Sequence, residues 1–185
     1  NIAYGSKHEI LYDDDNKEKQ TTFFAYNTTS LGWDTLYSVL YEMSSNTRES
    51  VNSQYDNSTN SWILSEKIVE TYLNDSLVTS IISYNWINND WVKGSKTINE
   101  YDTYNNLIRK TYQTWNQNTS QWDNTTKYDL FFDYNYTTSQ LLHYYLLSNI
   151  SFTFLNNSYG YNHKIDYYTM SKWTNNSWCV RDTTV

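Results

Sequence analysis

Few residues in this chain have the type and spacing that catalysis needs. The three histidines, His8, His143 and His163, lie far apart and at no ligand spacing. A zinc-type site wants imidazoles a few residues apart or a convergent Cys/His/carboxylate set, and neither pattern occurs. Solvent-exposed strand histidines are the simpler reading. The densest acidic cluster is Asp13-Asp14-Asp15-Asn16 with Glu18. Ca²⁺ takes several oxygens from one turn, but the alternation and central glycine of an EF-type loop are missing here. Glu66 and Glu70 fall on one face of a strand arm. Paired carboxylates hydrolyse glycosides across a cleft of about 5 to 9 Å, yet Lys67 and its neighbours are the nearer partners for these two. Cys179 is alone, so neither an intramolecular disulfide nor a cysteine cluster can form. No catalytic, cofactor-binding or metal residue is assigned, and the chain reads as a non-enzyme.

The chemistry the sequence does supply is aromatic, with 8 Trp, 20 Tyr and 6 Phe in 185 residues. Indole and phenol faces stack on sugars or on another protein at small entropic cost. The candidate binding surface is Trp86, Trp91, Trp115, Trp122, Trp173 and Trp178. The competing role for the same rings is to pack across strands and hold a sheet together.

Their spacing sets the organisation. One ladder reads Trp33, Trp62, Trp91, Trp122, Ile150, Trp178, and a second reads Tyr12, Tyr41, Tyr72, Tyr101, Phe132, Tyr159. Both repeat about every 29 residues, the mark of a solenoid, propeller or array. Aromatic pairs flank short Asn/Ser/Thr loops: Tyr26 with Trp33, Tyr55 with Trp62, Trp86 with Trp91, Trp115 with Trp122, and Trp173 with Trp178. That is the pattern of a hairpin closing on a cross-strand aromatic pair. From each Trp an arm of about ten residues, rich in β-branched and aromatic types, runs to the next Tyr. Lys67, Lys96 and Lys127 each fall five residues after the Trp. A second polar turn and a return strand, beginning near Leu77, Leu107, Leu141 or Ile165, complete the unit.

The expected fold is all-β: an antiparallel up-and-down meander of about six two-stranded repeats, or twelve to thirteen strands. The repeats run approximately 1–32, 33–61, 62–90, 91–121, 122–149 and 150–177, with a partial copy at 178–185. The array could be an elongated twisted sheet or rolled into a barrel. Strict alternation on the Trp91 arm puts Trp91, Lys93, Ser95, Thr97, Asn99 and Tyr101 on one face and Val92, Gly94, Lys96, Ile98 and Glu100 on the other. Neither face is greasy. Proline is absent and glycine occurs four times, against roughly nine and thirteen in an average chain of this length. Asn, which tolerates left-handed backbone, is expected to take over the turns. Starting at Asn1 and ending in a strand, the chain reads as a segment of a longer protein.

A net charge of -7 argues against nucleic acid and anionic membranes as partners. No apolar run is long enough for a membrane-spanning helix, and no arm carries the alternate apolar band of a lipid-facing barrel. Nine Asn-x-Ser/Thr sequons occur, among them Asn27, Asn57, Asn74, Asn118, Asn124 and Asn175.

Tyr101-Asp102-Thr103-Tyr104-Asn105-Asn106-Leu107 resembles the core of the YD repeats of large bacterial surface proteins. Tyr112-Gln113-Thr114-Trp115 through Trp122 to Lys127-Tyr128 is similar to tandem repeats of secreted Bacteroidetes proteins exported by the type IX system. The resemblance implies a secreted, non-catalytic β array at the cell surface, acting as a structural element or adhesin. Protein or glycan partners, or self-association into a filament through edge strands, follow as expectations. No cofactor is implied.

Overall fold

A computed structural model describes residues 5–27, 29–137 and 163–184. These residues form strands joined by turns, with no helix among them. The strands are β1 (Ser6–Tyr12), β2 (Glu18–Asn27), β3 (Gly32–Met43), β4 (Thr47–Asp56), β5 (Ser61–Tyr72), β6 (Val78–Ile87), β7 (Asp90–Tyr101), β8 (Leu107–Asn116), β9 (Gln121–Thr137), β10 (His163–Thr174) and β11 (Ser177–Thr184). They lie in chain order in one eleven-stranded sheet. The antiparallel up-and-down meander expected from the two aromatic ladders is the fold.

From β3 on, the odd-numbered strands are the Trp arms and the even-numbered ones the returns. β9 pairs directly with β10, with Phe132 opposite Ile165. The Ile150 and Tyr159 rungs and the return strand near Leu141 fall in residues 138–162, outside the described residues.

Asparagine makes the turns. Asn88 and Asn89 have φ of 52° and 61°, and Asn175 and Asn176 have 51° and 57°. Each pair is a two-residue loop with both residues left-handed, the type I′ geometry whose twist matches the flanking strands. Asn60 and Ser120 take the left-handed place at the end of four-residue loops. Among the described residues no glycine has a positive φ.

The Tyr-Asp turn is a second device. Asp102 Oδ1 accepts hydrogen bonds from the backbone N–H of Tyr104 (2.9 Å) and Asn106 (2.8 Å), while Asn105 turns left-handed at φ 64°. Asp13 repeats the arrangement, accepting from Asp15 (3.0 Å) and Lys17 (2.8 Å), with Asn16 at φ 60°. Tyr12-Asp13 and Tyr101-Asp102 are thus the same turn.

The chain divides into two compact units, Asn1–Thr71 with Ile82–Gly94, and Tyr72–Ile81 with Ser95–Val185. The second holds the buried apolar side chains Leu77, Val78, Leu107 and Leu130. Around them Asn99 Nδ2 and the Tyr101 hydroxyl both donate to the Val78 carbonyl, at 2.7 and 2.9 Å. In the first unit the buried side chains among the described residues are Thr21 and Ser38. That unit is held by pairs of half-exposed side chains covering one another.

Because left-handed backbone costs a β-branched residue about 1–2 kcal/mol, Asn89→Val is expected to lose that much stability while Asn89→Gly loses none. Urea unfolding of the two variants checks it.

Candidate functional site

The loop-flanking aromatics meet as the hairpin pattern requires. Tyr26–Trp33, Tyr55–Trp62, Trp115–Trp122 and Trp173–Trp178 are direct cross-strand partners. Their ring centroids lie 5.4, 5.1, 5.1 and 5.1 Å apart at 73°, 70°, 68° and 71°. Trp86–Trp91 follows at 4.9 Å and 63°. All five are edge-to-face, the arrangement in which a ring's positive edge meets its neighbour's negative face.

Each arm carries an extra residue three positions after its Trp wherever the pairing with the preceding return strand is defined. Phe24 opposes Thr35 and Phe23 opposes Tyr37, which leaves Leu36 unpaired. Ser65, Thr125 and Arg181 are left out in the same way. These are β-bulges, and each shifts the following side chains to the other face. Two bulge hydroxyls bond the opposing strand: Ser65 donates to the Asn52 carbonyl at 3.0 Å and Thr125 to that of Tyr112 at 2.9 Å.

The bulges at Ser65 and Thr125 decide where Lys67 and Lys127 point. Lys67 Nζ stands 4.9 Å from the Tyr84 ring centre and 5.4 Å from Trp91. Lys96 stands 5.9 Å from Trp122, and Lys127 5.4 Å from Trp178. Lys7 on β1 stands 4.4 Å from Phe24 and 5.5 Å from Trp33. Each lysine covers the tryptophan of the next arm. Strict alternation, which set Lys96 on the face away from the tryptophans, is corrected here: Lys96 opposes Gln113, two residues before Trp115, and so shares the face of Trp115 and Trp122.

Ion pairs fix the lysines and the strands beside them. Lys67 lies 3.7 Å from Glu49, and Lys127 2.9 Å from Asp129. Asp129 also takes Arg109 Nε at 2.5 Å, and Arg109 reaches Glu100 at 3.4 Å. The hydrogen bond to Asp129 raises the Arg109 pKa further. Burial lifts the Tyr112 and Tyr128 hydroxyls above the usual phenol value.

Several of the remaining sequence candidates have structural partners. Asp13 is spent on its turn. Glu66 accepts from Asn52 Nδ2 at 3.1 Å, and Glu70 lies 3.9 Å from Arg48. His8 sits 5.9 Å from the Phe23 ring. His143 lies outside the described residues, and His163 begins β10. No group of three or more His, Cys, Asp or Glu could hold a metal ion among the described residues. Cys179 Sγ accepts from the Thr174 hydroxyl at 3.1 Å, which lowers the thiol pKa. Asn57, Asn74, Asn118 and Asn175 are exposed in turns, whereas Asn27 and Asn124 are half-buried in strands. The Asp56 carboxyl, held by the Ser58 and Thr59 hydroxyls, drops to about 2.

The structure brings the six candidate tryptophans together in three pairs, all half-buried. Trp33 and Trp62, absent from that set because each pairs with a tyrosine, are the exposed ones, at 44 % each. Lys7 was also missed. Counting five residues back from Tyr12, as Lys67 and Lys96 stand before Tyr72 and Tyr101, would have found it.

No protein-family model and no curated protein matches the chain. Three solved structures share some likeness. A protein of unknown function from Bacteroides fragilis aligns over 98 % of this chain and 92 % of its own, at 11 % identity and a TM-score of 0.39. A DUF3836 family protein from Parabacteroides distasonis covers 66 % and 88 %, at 9 % identity and a TM-score of 0.36. Another from Bacteroides vulgatus covers 64 % and 89 %, at 14 % identity and 0.34. At these values the likeness assigns neither family nor function.

Two outcomes are expected. Trp115→Leu keeps apolar area but loses the ring pair, and should cost about 1 kcal/mol in urea unfolding. Burial works to raise the Asp102 pKa, but hydrogen bonds from Asn106, Tyr134 and Tyr104 outweigh it and hold the group below its ordinary value. A depressed carboxyl stabilises the fold above its unfolded pKa and loses that effect as pH falls through the folded one. Asp102→Asn should therefore be less stable than the parent at neutral pH, with the difference shrinking in acid, as urea midpoints across pH would show.

Proposed function

We propose that this chain is a structural or adhesive β-repeat segment that works outside the cell or on its surface. The observation that supports this most is that the aromatic and basic side chains are spent on one another. The tryptophans at five hairpin ends pair edge-to-face, and four carry a lysine of the preceding arm. A repeat built this way gains stability from each neighbour and presents polar turns at both rims. The resemblance to secreted Bacteroidetes repeats, including those exported by the type IX system, agrees with this reading. We read the chain as non-catalytic, since Asp13 is engaged in its turn, Glu66 with Asn52 and Glu70 with Arg48.

A second reading has one observation of its own: Trp33 and Trp62 leave 44 % of their surface open. Open indole faces suit stacking on a glycan or a protein partner. Self-assembly is a third, through the exposed Ile10, Leu11 and Tyr12 of β1.

The deciding experiment fractionates the native host. Recovery in the extracellular or surface fraction is expected, and recovery in the soluble cytosol would overturn the proposal. Glycan-array binding lost in a still-folded Trp62→Ala protein would move the assignment to the second reading.

A further inference from the structure

Lysine covers tryptophan at a fixed register. Lys7, Lys96 and Lys127 oppose Phe24, Gln113 and Ser171. Each of those stands two residues before the aromatic that pairs with the covered Trp33, Trp122 or Trp178. The Trp62 rung keeps the same frame: Ser38 opposes Ser53, Ser53 stands two residues before Tyr55, and Tyr55 pairs with Trp62. In the lysine's place is Ser38. It is buried and takes a 2.8 Å hydrogen bond from Gln20 Nε2. Among the described residues no cation stands over Trp62. Trp33 is equally exposed yet has Lys7 above it, so the missing cation, not exposure, sets Trp62 apart.

We propose that Trp62 is a receptor for a lysine side chain presented by another protein, an inference beyond the structural role above. The chain's own choice of occupant at the other rungs names the chemistry: a primary ammonium on a flexible alkyl stem over an indole face. Charge agrees. The chain carries a net -7, which draws a basic partner in. On the same face of β3, Glu42 directly opposes Glu49. Glu49 has Lys67, whereas Glu42 has no ion-pair partner among the described residues. Like charges across a strand pair are unfavourable, and an incoming cation relieves them. Ser38 and Glu42 lie about 13 Å apart along the strand at ~3.3 Å per residue. An extended partner with basic residues four apart would reach both positions.

The test uses the full chain, ¹⁵N-labelled at its indoles. n-Butylammonium chloride is titrated against sodium chloride of equal ionic strength and against n-butanol. The Trp62 indole N–H should shift at least about threefold more than those of Trp91, Trp122 and Trp178, whose faces already hold lysines. Butanol should not reproduce this. Ser38→Lys installs the residue of the other rungs and should bring the Trp62 response down to theirs. Equal shifts at the four indoles, an equal response to butanol, or a selective response that survives in folded Ser38→Lys overturns the proposal. A Trp62 shift that follows protein concentration with no probe present places the lysine on a second copy of this chain, and overturns the assignment to a different protein. Should Ser38→Lys unfold the chain, the comparison among the four indoles in the parent decides alone.

Discussion

Within each compact unit, among the described residues, no second layer packs against the strands, and the rest of the structure answers to that constraint. A sheet usually gains its stability by burying one face against a helix or another sheet. Here stability has to come from within the layer, between side chains on neighbouring strands. Buried aliphatics supply part of it in the second unit, through Leu77, Val78, Leu107 and Leu130, but none is buried among the described residues of the first. Long side chains with flat or charged ends supply the rest: an indole shields a neighbour's ring, and a lysine stem lies across it while its ammonium meets both the ring and water. That accounts for a composition rich in Trp, Tyr and Thr and poor in Ala.

The bulges after Trp33, Trp62, Trp122 and Trp178 are what make this layer work. Without Ser65, Lys67 would lie on the face away from Trp62 and Tyr55; with it, Lys67 opposes Val51 on their side. One extra residue per arm therefore converts two alternating stripes into a face where cation follows ring. The same bulges increase local twist, which an uncovered sheet of many strands needs. Where the frame loses its lysine, at Ser38, no cation stands over the Trp62 ring among the described residues.

Much of this was legible in the sequence. The Trp and Tyr ladders carried the strand order, and the Asn-rich loops between aromatics carried the hairpins and their left-handed turns. The five-residue step to Lys67, Lys96 and Lys127 was visible, but its meaning was not. Strict alternation sent Lys96 to the wrong face, because a bulge leaves no composition signal: Leu36, Ser65, Thr125 and Arg181 share a position and no chemistry. Trp-Trp hairpins stood out, so Trp33 and Trp62, paired with tyrosines, were passed over although they are the open ones. Which tryptophan lacks a cation depends on the registers of two successive strand pairs taken together, and only the structure shows them.

The most direct measurement is a double-mutant cycle between Lys96 and Trp122, using Lys96→Met and Trp122→Leu so that stem and apolar area are largely kept. Urea unfolding of the parent, both single variants and the double variant yields the coupling. If rings and cations of successive arms hold the layer together, the coupling should be about 0.5–1 kcal/mol in the stabilising direction. A coupling of zero, with the two losses simply additive, would contradict the account.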